Sequence, residues 1–176
     1  MLIKDNSNRY GQVSRILHWG MALLLLWQFI SAGAHLLLED TTVEEFFWPF
    51  HKPMGFLLFV LIVIRLTWAL INRLQRPTSI SKAAKLGHIA LYGLLITVPA
   101  LALIRQYGSG KAFGLLGITL FPGFEGDKIN WMVELGNLFH SWLGWILLIM
   151  VVGHIFMVFW HKRSATHTDV LPRMWR

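Results

Sequence analysis

Residues 137–160 read NLFHSWLGWILLIMVVGHIFMVFW. The stretch is apolar almost throughout, and its two histidines, His140 and His154, stand fourteen residues apart. Fourteen residues make nearly four turns of an α-helix, so both imidazoles leave nearly the same face, roughly 21 Å apart along the axis. Ionisable side chains at membrane depth are costly and call for a reason. Two stacked ligand sites on one helix supply one.

Three further blocks of the same character precede this one: about Ile16 to Leu38, Pro49 to Ile71 and Leu86 to Ile104. Each of the four can cross a hydrocarbon layer about 30 Å thick. Of the 176 residues 55% are apolar, and the mean hydropathy is +0.54, high for a soluble domain. Backbone groups in lipid need internal partners and the blocks are too long for barrel strands, so the spans are helices. The expected fold is all-α: residues 1–176 form one integral membrane domain, a four-helix bundle.

Lysine and arginine gather in segments that remain cytoplasmic. Here the N-terminus, the second connection and the C-terminus carry Lys4, Arg9, Arg15, Arg73, Arg76, Lys82, Lys85, Lys162, Arg163, Arg173 and Arg176, against Asp5 and Asp169. The first and third connections carry Glu39, Asp40, Glu44, Glu45, Glu125, Asp127 and Glu134, with Lys52, Arg105, Lys111 and Lys128. Both termini are therefore expected in the cytoplasm, with the acidic connections outside. The net charge of +7 flanks apolar helices rather than forming a basic domain, which points to anionic lipid headgroups and not to nucleic acid. A cleavable signal peptide is the rival reading of the first block, because Ala32-Gly33-Ala34 resembles a cleavage site. Its removal would leave three spans with the termini on opposite sides, against the charge pattern.

The chain has no cysteine, which excludes disulfides, thiolate iron-sulfur ligation and thioether-bound haem. It has no nucleotide-binding glycine loop and no H-E-x-x-H motif. The third connection, Gln106 to Gly136, is rich in glycine and aromatics and is expected to cap the outer end of the bundle. The tryptophans cluster near span boundaries, as an aromatic belt does.

With this topology most histidines fall into two layers. His18 opens helix 1 on the cytoplasmic side, where His154 also lies; His51 opens helix 2 on the outer side, where His140 lies. Paired across the bundle, such imidazoles suit b-type haem, held axially by two neutral rings. Gly55 and Gly144 each follow a histidine by four positions, which leaves room for a flat ring or for close helix packing. His35, His88 and His161 compete for the same positions, so the residues alone leave the pairing open. We read His35 and His161 as interfacial, His88 as a supporting or substrate-side group, and His167 as a solvated tail residue. Arg65, fourteen residues after His51, reaches the cytoplasmic layer either to bind a haem propionate or to snorkel towards water. Pro99 is expected to kink helix 3.

Several features together resemble the bacterial cytochrome b561 family of small di-haem inner-membrane proteins. They are Arg9-Tyr10 with Leu17-His18-Trp19, His51 with Arg65, Leu86-Gly87-His88 with Tyr92, the interval from His140 to His154, and the tail Asp169-Val170-Leu171-Pro172-Arg173-Met174. The resemblance covers almost the whole chain; only Pro172 departs from the usual tail. It implies two non-covalent b haems, one ligated by His18 and His154 on the cytoplasmic side and one by His51 and His140 on the periplasmic side. It also implies electron transfer to or from quinone in the bacterial inner membrane, with ubiquinone and superoxide as the partners of a superoxide oxidase. His88 and Arg15 mark the expected quinone side. Related cytochromes instead anchor hydrogenases or dehydrogenases. A histidine-based metal transporter is the reading from another class, weakened by the lack of carboxylates inside the spans.

Overall fold

The computed structural model describes residues 3–164 and 168–175; His167 lies outside them. Four helices are long and apolar enough to cross a membrane: α1 (Gln12–Leu37), α3 (His51–Ile71), α4 (Lys82–Gly108) and α5 (Asn130–Arg163). A short α2 (Thr42–Phe47) and a 3-10 turn (Trp48–Phe50) run directly into α3. α1, α4 and α5 start a turn or more before their apolar blocks, while α3 stays within its own. Ser81 caps α4 by accepting from Ala84 N at 3.0 Å, and Thr41 caps α2 through Glu44 N, as short hydroxyl side chains do at helix starts.

The bundle packs α4 along α5, α1 along α3, and α3 against α4. Close backbone approach of α5 to α1 or α3 is sparse. One apolar core joins all four helices midway along their length: Met21 and Leu25 from α1, Leu58 and Ile62 from α3, Leu95 and Val98 from α4, and Leu147 from α5. Outside this core the helices expose apolar faces. On α5 these include Trp142, Ile146, Ile149, Val152, Phe156 and Phe159, a surface that lipid covers favourably and water does not. α1 runs unbroken through Ala32-Gly33-Ala34 and places Ala34 in the interior, so this block is an integral part of the bundle.

The third connection is more ordered than its composition suggests. α4 continues to Gly108, α5 starts at Asn130, and between them β1 (Phe113–Leu115) pairs antiparallel with β2 (Ile118–Phe121). Leu116 and Gly117, both at positive φ, make the two-residue turn, a geometry glycine enters freely. The run of glycines hid the strand alternation. Phe113 reaches Phe56 of α3, with ring centroids 6.0 Å apart, so the hairpin folds over the end of the bundle where α3 begins. α4 also passes through the buried Pro99 without a break.

At the other end the two termini clasp each other. Tyr10 N donates to Arg173 O (3.1 Å), Trp19 Nε1 donates to Met174 O (3.2 Å), and Arg173 Nη1 donates to Thr78 O (3.0 Å). Asp5, 3% exposed, accepts from Gly11 N at 2.7 Å. Its other oxygen lies 3.1 Å from Arg76 Nε, a contact ion pair rather than an aligned hydrogen bond. Pro172 stands at the first position of α6 (Pro172–Trp175), where a missing N–H is harmless.

Candidate haem-binding site

The bundle brings the histidines together at two levels, one on each side of the apolar core. At the end that holds both termini, His18 of α1 faces His154 of α5 with ring centroids 6.4 Å apart and planes inclined by 74°. At the opposite end His51 of α3 faces His140 of α5 at 6.3 Å and 85°. Two pairs on different helices thus share one spacing. His88 of α4 also approaches His154, at 5.5 Å.

The hydrogen bonds behind the rings differ between the levels. His140 Nδ1 lies 3.0 Å from Val98 O. A carbonyl only accepts, so Nδ1 carries the proton and Nε2 keeps a free lone pair. His51 Nδ1 lies 2.7 Å from Ser31 Oγ, while Ser31 Oγ donates to Gln28 O at 2.9 Å. The hydroxyl has a single proton and spends it on Gln28, so His51 donates to Ser31 and its Nε2 is bare as well. At the other level Arg65 Nη1 lies 2.9 Å from His18 Nδ1. A guanidinium only donates, which assigns the His18 proton to Nε2. Arg65 also lies over the Tyr92 ring at 5.7 Å, and its Nε is buried without a hydrogen-bond partner.

The remaining candidates fall as follows. His35 is half exposed, pairs with Glu44 at 2.6 Å, and stacks on Trp48 at 3.8 Å; Trp48 in turn lies 5.0 Å from His51. His161 Nδ1 is 2.7 Å from Met157 O. Arg15 lines a shallow depression of about 290 Å³ with Gln12, Ile16, Trp19, Met174 and Trp175, whereas His88 sits beside His154. The two glycines read alike in the sequence are not alike in space. A Cβ on Gly144 would meet nothing within 4 Å, but one on Gly55 would lie 2.7 Å from Gln28 Nε2. Gly55 therefore serves contact with α1, and of the two only Gly144, four residues after His140 on α5, borders open space. Ser31 and the Val98 carbonyl escaped the sequence reading altogether. Ser31 is a small polar residue in an apolar block, and nothing local says that it faces a histidine twenty positions away.

A model of the prokaryotic cytochrome b561 family matches residues 9–176. The chain belongs to that family. Cytochrome b561 homolog 2 of Escherichia coli (strain K12) is 28% identical to it over 190 aligned positions, which cover 99% of this chain and 95% of that protein. Cytochrome b561 homolog 1 of the same organism is 23% identical over 185 positions, with 94% and 98% coverage. This member of the cytochrome b561 family is a multi-pass membrane cytochrome of the b type.

The spacing of the paired histidines provides a test of fit. Take a metal–nitrogen bond of about 2 Å on each side. Add about 1.1 Å from nitrogen to the centre of a five-membered ring with ~1.33 Å bonds. Two imidazoles opposed across one metal then have centroids about 6.2 Å apart. The pairs observed at 6.4 and 6.3 Å match; the 5.5 Å of His88 and His154 is too short. Among the described residues no group of three or more His, Asp or Glu forms a metal cluster. A donor set of two imidazoles suits iron that brings its own four equatorial ligands.

Proposed function

We propose that the chain holds two b haems, one between His18 and His154 and one between His51 and His140, and carries electrons across the bacterial inner membrane to or from quinone. The observation that carries this reading is the common spacing of the two pairs, 6.4 and 6.3 Å, on opposite sides of one apolar core. Bound haem supplies the one-electron chemistry. The protein's part is binding, orientation and electrostatics.

His51 and His140 stand with bare Nε2 atoms, held by Ser31 and Val98 O. On the other side Arg65 must release His18 Nδ1 so that the ring's proton can leave Nε2. A haem propionate would give its guanidinium a new partner, including for the buried Nε that now has none. The core between the layers excludes water. No side chain is required as acid, base or nucleophile for electron transfer itself. We place both termini in the cytoplasm on the charge distribution, and the quinone side at His88 and Arg15. Superoxide as the outer donor and ubiquinone as the acceptor rest on the family resemblance.

The test is a dithionite-reduced spectrum of the purified full chain together with haem extraction. A b-type spectrum with two haems per chain is expected; one haem, or none, rejects the proposal. Quinone reduction by superoxide in the isolated chain would exclude an obligate anchor of a larger enzyme, and metal transport by haem-free protein would favour a transporter.

A further inference from the structure

We propose that Ser31 is the positioning residue of the layer formed by His51 and His140: its hydroxyl holds His51 with Nδ1 protonated and Nε2 bare, and keeps that layer the lower-potential half of the molecule. The inference rests on the reading of His51 as a haem ligand.

The geometry leaves one consistent assignment of protons. Ser31 is 0% exposed, so water does not compete for its hydroxyl. The chain runs His51 Nδ1–H to Ser31 Oγ at 2.7 Å and Ser31 Oγ–H to Gln28 O at 2.9 Å. Both contacts are satisfied only in that direction. The link is also local: Ser31 lies three positions after Gln28 on α1, so the helix that binds its proton is the helix that carries it. The ring of His51, on α3, is thereby tied to a rigid element other than its own.

An acceptor behind Nδ1–H pushes electron density toward Nε2, and a more basic axial ligand favours the ferric state. His140 receives the same support from Val98 O. The two ligands of this layer are therefore both strengthened. The opposite layer is built with the reverse sign. Arg65 stands beside His18; after it turns from Nδ1 its guanidinium still belongs to this layer, and a positive charge near a redox centre favours the form with one more electron. Acceptors on one side and a guanidinium on the other separate the two potentials in the same direction. Electrons then run downhill from the His51 and His140 layer to the layer at the termini.

Loss of the hydroxyl leaves His51 Nδ1–H facing apolar space. An unpaired buried donor is costly, so the ring either turns or moves its proton to Nε2, where coordination is blocked. The test uses the haem-loaded full chain with Ser31→Ala, Ser31→Thr and Arg65→Gln, read by haem per chain and by potentiometric titration. Ser31→Ala should raise the lower of two waves by up to tenfold in the one-electron equilibrium, about 59 mV, or remove one haem of the two. Ser31→Thr, which keeps the hydroxyl, should restore the parent behaviour. Arg65→Gln should lower the upper wave and leave the lower one in place.

Two haems with both waves unmoved by Ser31→Ala overturns the proposal and leaves the ligand reading standing. So does an equal shift of both waves, or loss of haem in Ser31→Thr as in Ser31→Ala, since either means packing rather than the hydroxyl. A parent chain that takes up no haem overturns the ligand reading itself, and this inference with it.

Discussion

Gly136 and Gly144 lie two turns apart on α5, and substitution of each by alanine should have opposite effects. A Cβ at Gly136 would lie 2.4 Å from Arg105 Cβ and 2.9 Å from Leu101 O. Non-bonded carbons rest at about 3.5–4.0 Å, so relief requires α4 and α5 to move apart by about an ångström. Neither neighbour is the far end of a flexible chain, and the contact belongs to the most extensive helix pairing in the bundle. Overpacking of this kind costs ~1–3 kcal/mol, and the better helix propensity of alanine returns ~1 kcal/mol. A net loss of up to about 2 kcal/mol is expected for Gly136→Ala. At Gly144 nothing lies within 4 Å, so only the propensity gain remains, up to ~1 kcal/mol of stabilisation. In a chain of this size each kcal/mol moves the midpoint by about 2–4 °C. Thermal unfolding in detergent, followed by far-ultraviolet circular dichroism, reads both variants against the parent. Gly144→Leu, which fills the open space on the His140 face of α5, should leave the chain folded and lower its haem content. Equal destabilisation by Gly136→Ala and Gly144→Ala would refute the reasoning, because it would mean that the open space beside Gly144 does not exist.

Single replacements of His18, His51, His140 or His154 by alanine should each halve the extracted haem, while His35→Ala should leave it unchanged; a parent-like haem content in any of the first four removes that residue from the ligand set. Asp5→Ala should lower stability by about 1–3 kcal/mol, because it strips a buried carboxylate from Gly11 N and leaves the partly exposed Arg76 without its partner; an unchanged melting point would show that the clasp of the termini is passive. Burial raises the Tyr10 hydroxyl above its ordinary value of 10.0, with Arg76 opposing. The folded state then holds the proton more tightly than the unfolded one, so its stabilising effect is complete below pH 10 and is lost as pH rises further. Melting curves between neutral and alkaline pH should fall more steeply for the parent than for Tyr10→Phe, and parallel curves would contradict this.

Four membrane helices were legible in the sequence because burial in lipid demands long uninterrupted apolar blocks, a signal that survives in one dimension. The helix ends were less legible. Ser81 and Thr41 extend α4 and α2 through hydrogen bonds that hydropathy does not register, and the hairpin at Phe113–Phe121 rests on a glycine turn within a segment whose composition reads as loop. The layers of histidines could be inferred from depth, since residues fourteen apart on one helix return to the same face. Depth alone could not choose between His35 and His51 at one level, or among His18, His88 and His161 at the other.

What the sequence by itself determined is the class of protein and the level at which each histidine sits, because helical rise and apolar length are properties of the chain. What only the tertiary structure decided is which groups meet. Rotation and proximity of helices are set by packing across the whole core, from Met21 to Leu147. That packing brings His51 to Ser31 and His140 to Val98 O, sets Arg65 behind His18, opens the space beside Gly144 and closes the space beside Gly55. The protonated nitrogen of each ring follows from these meetings, because a carbonyl only accepts, a guanidinium only donates, and a hydroxyl has one proton to give.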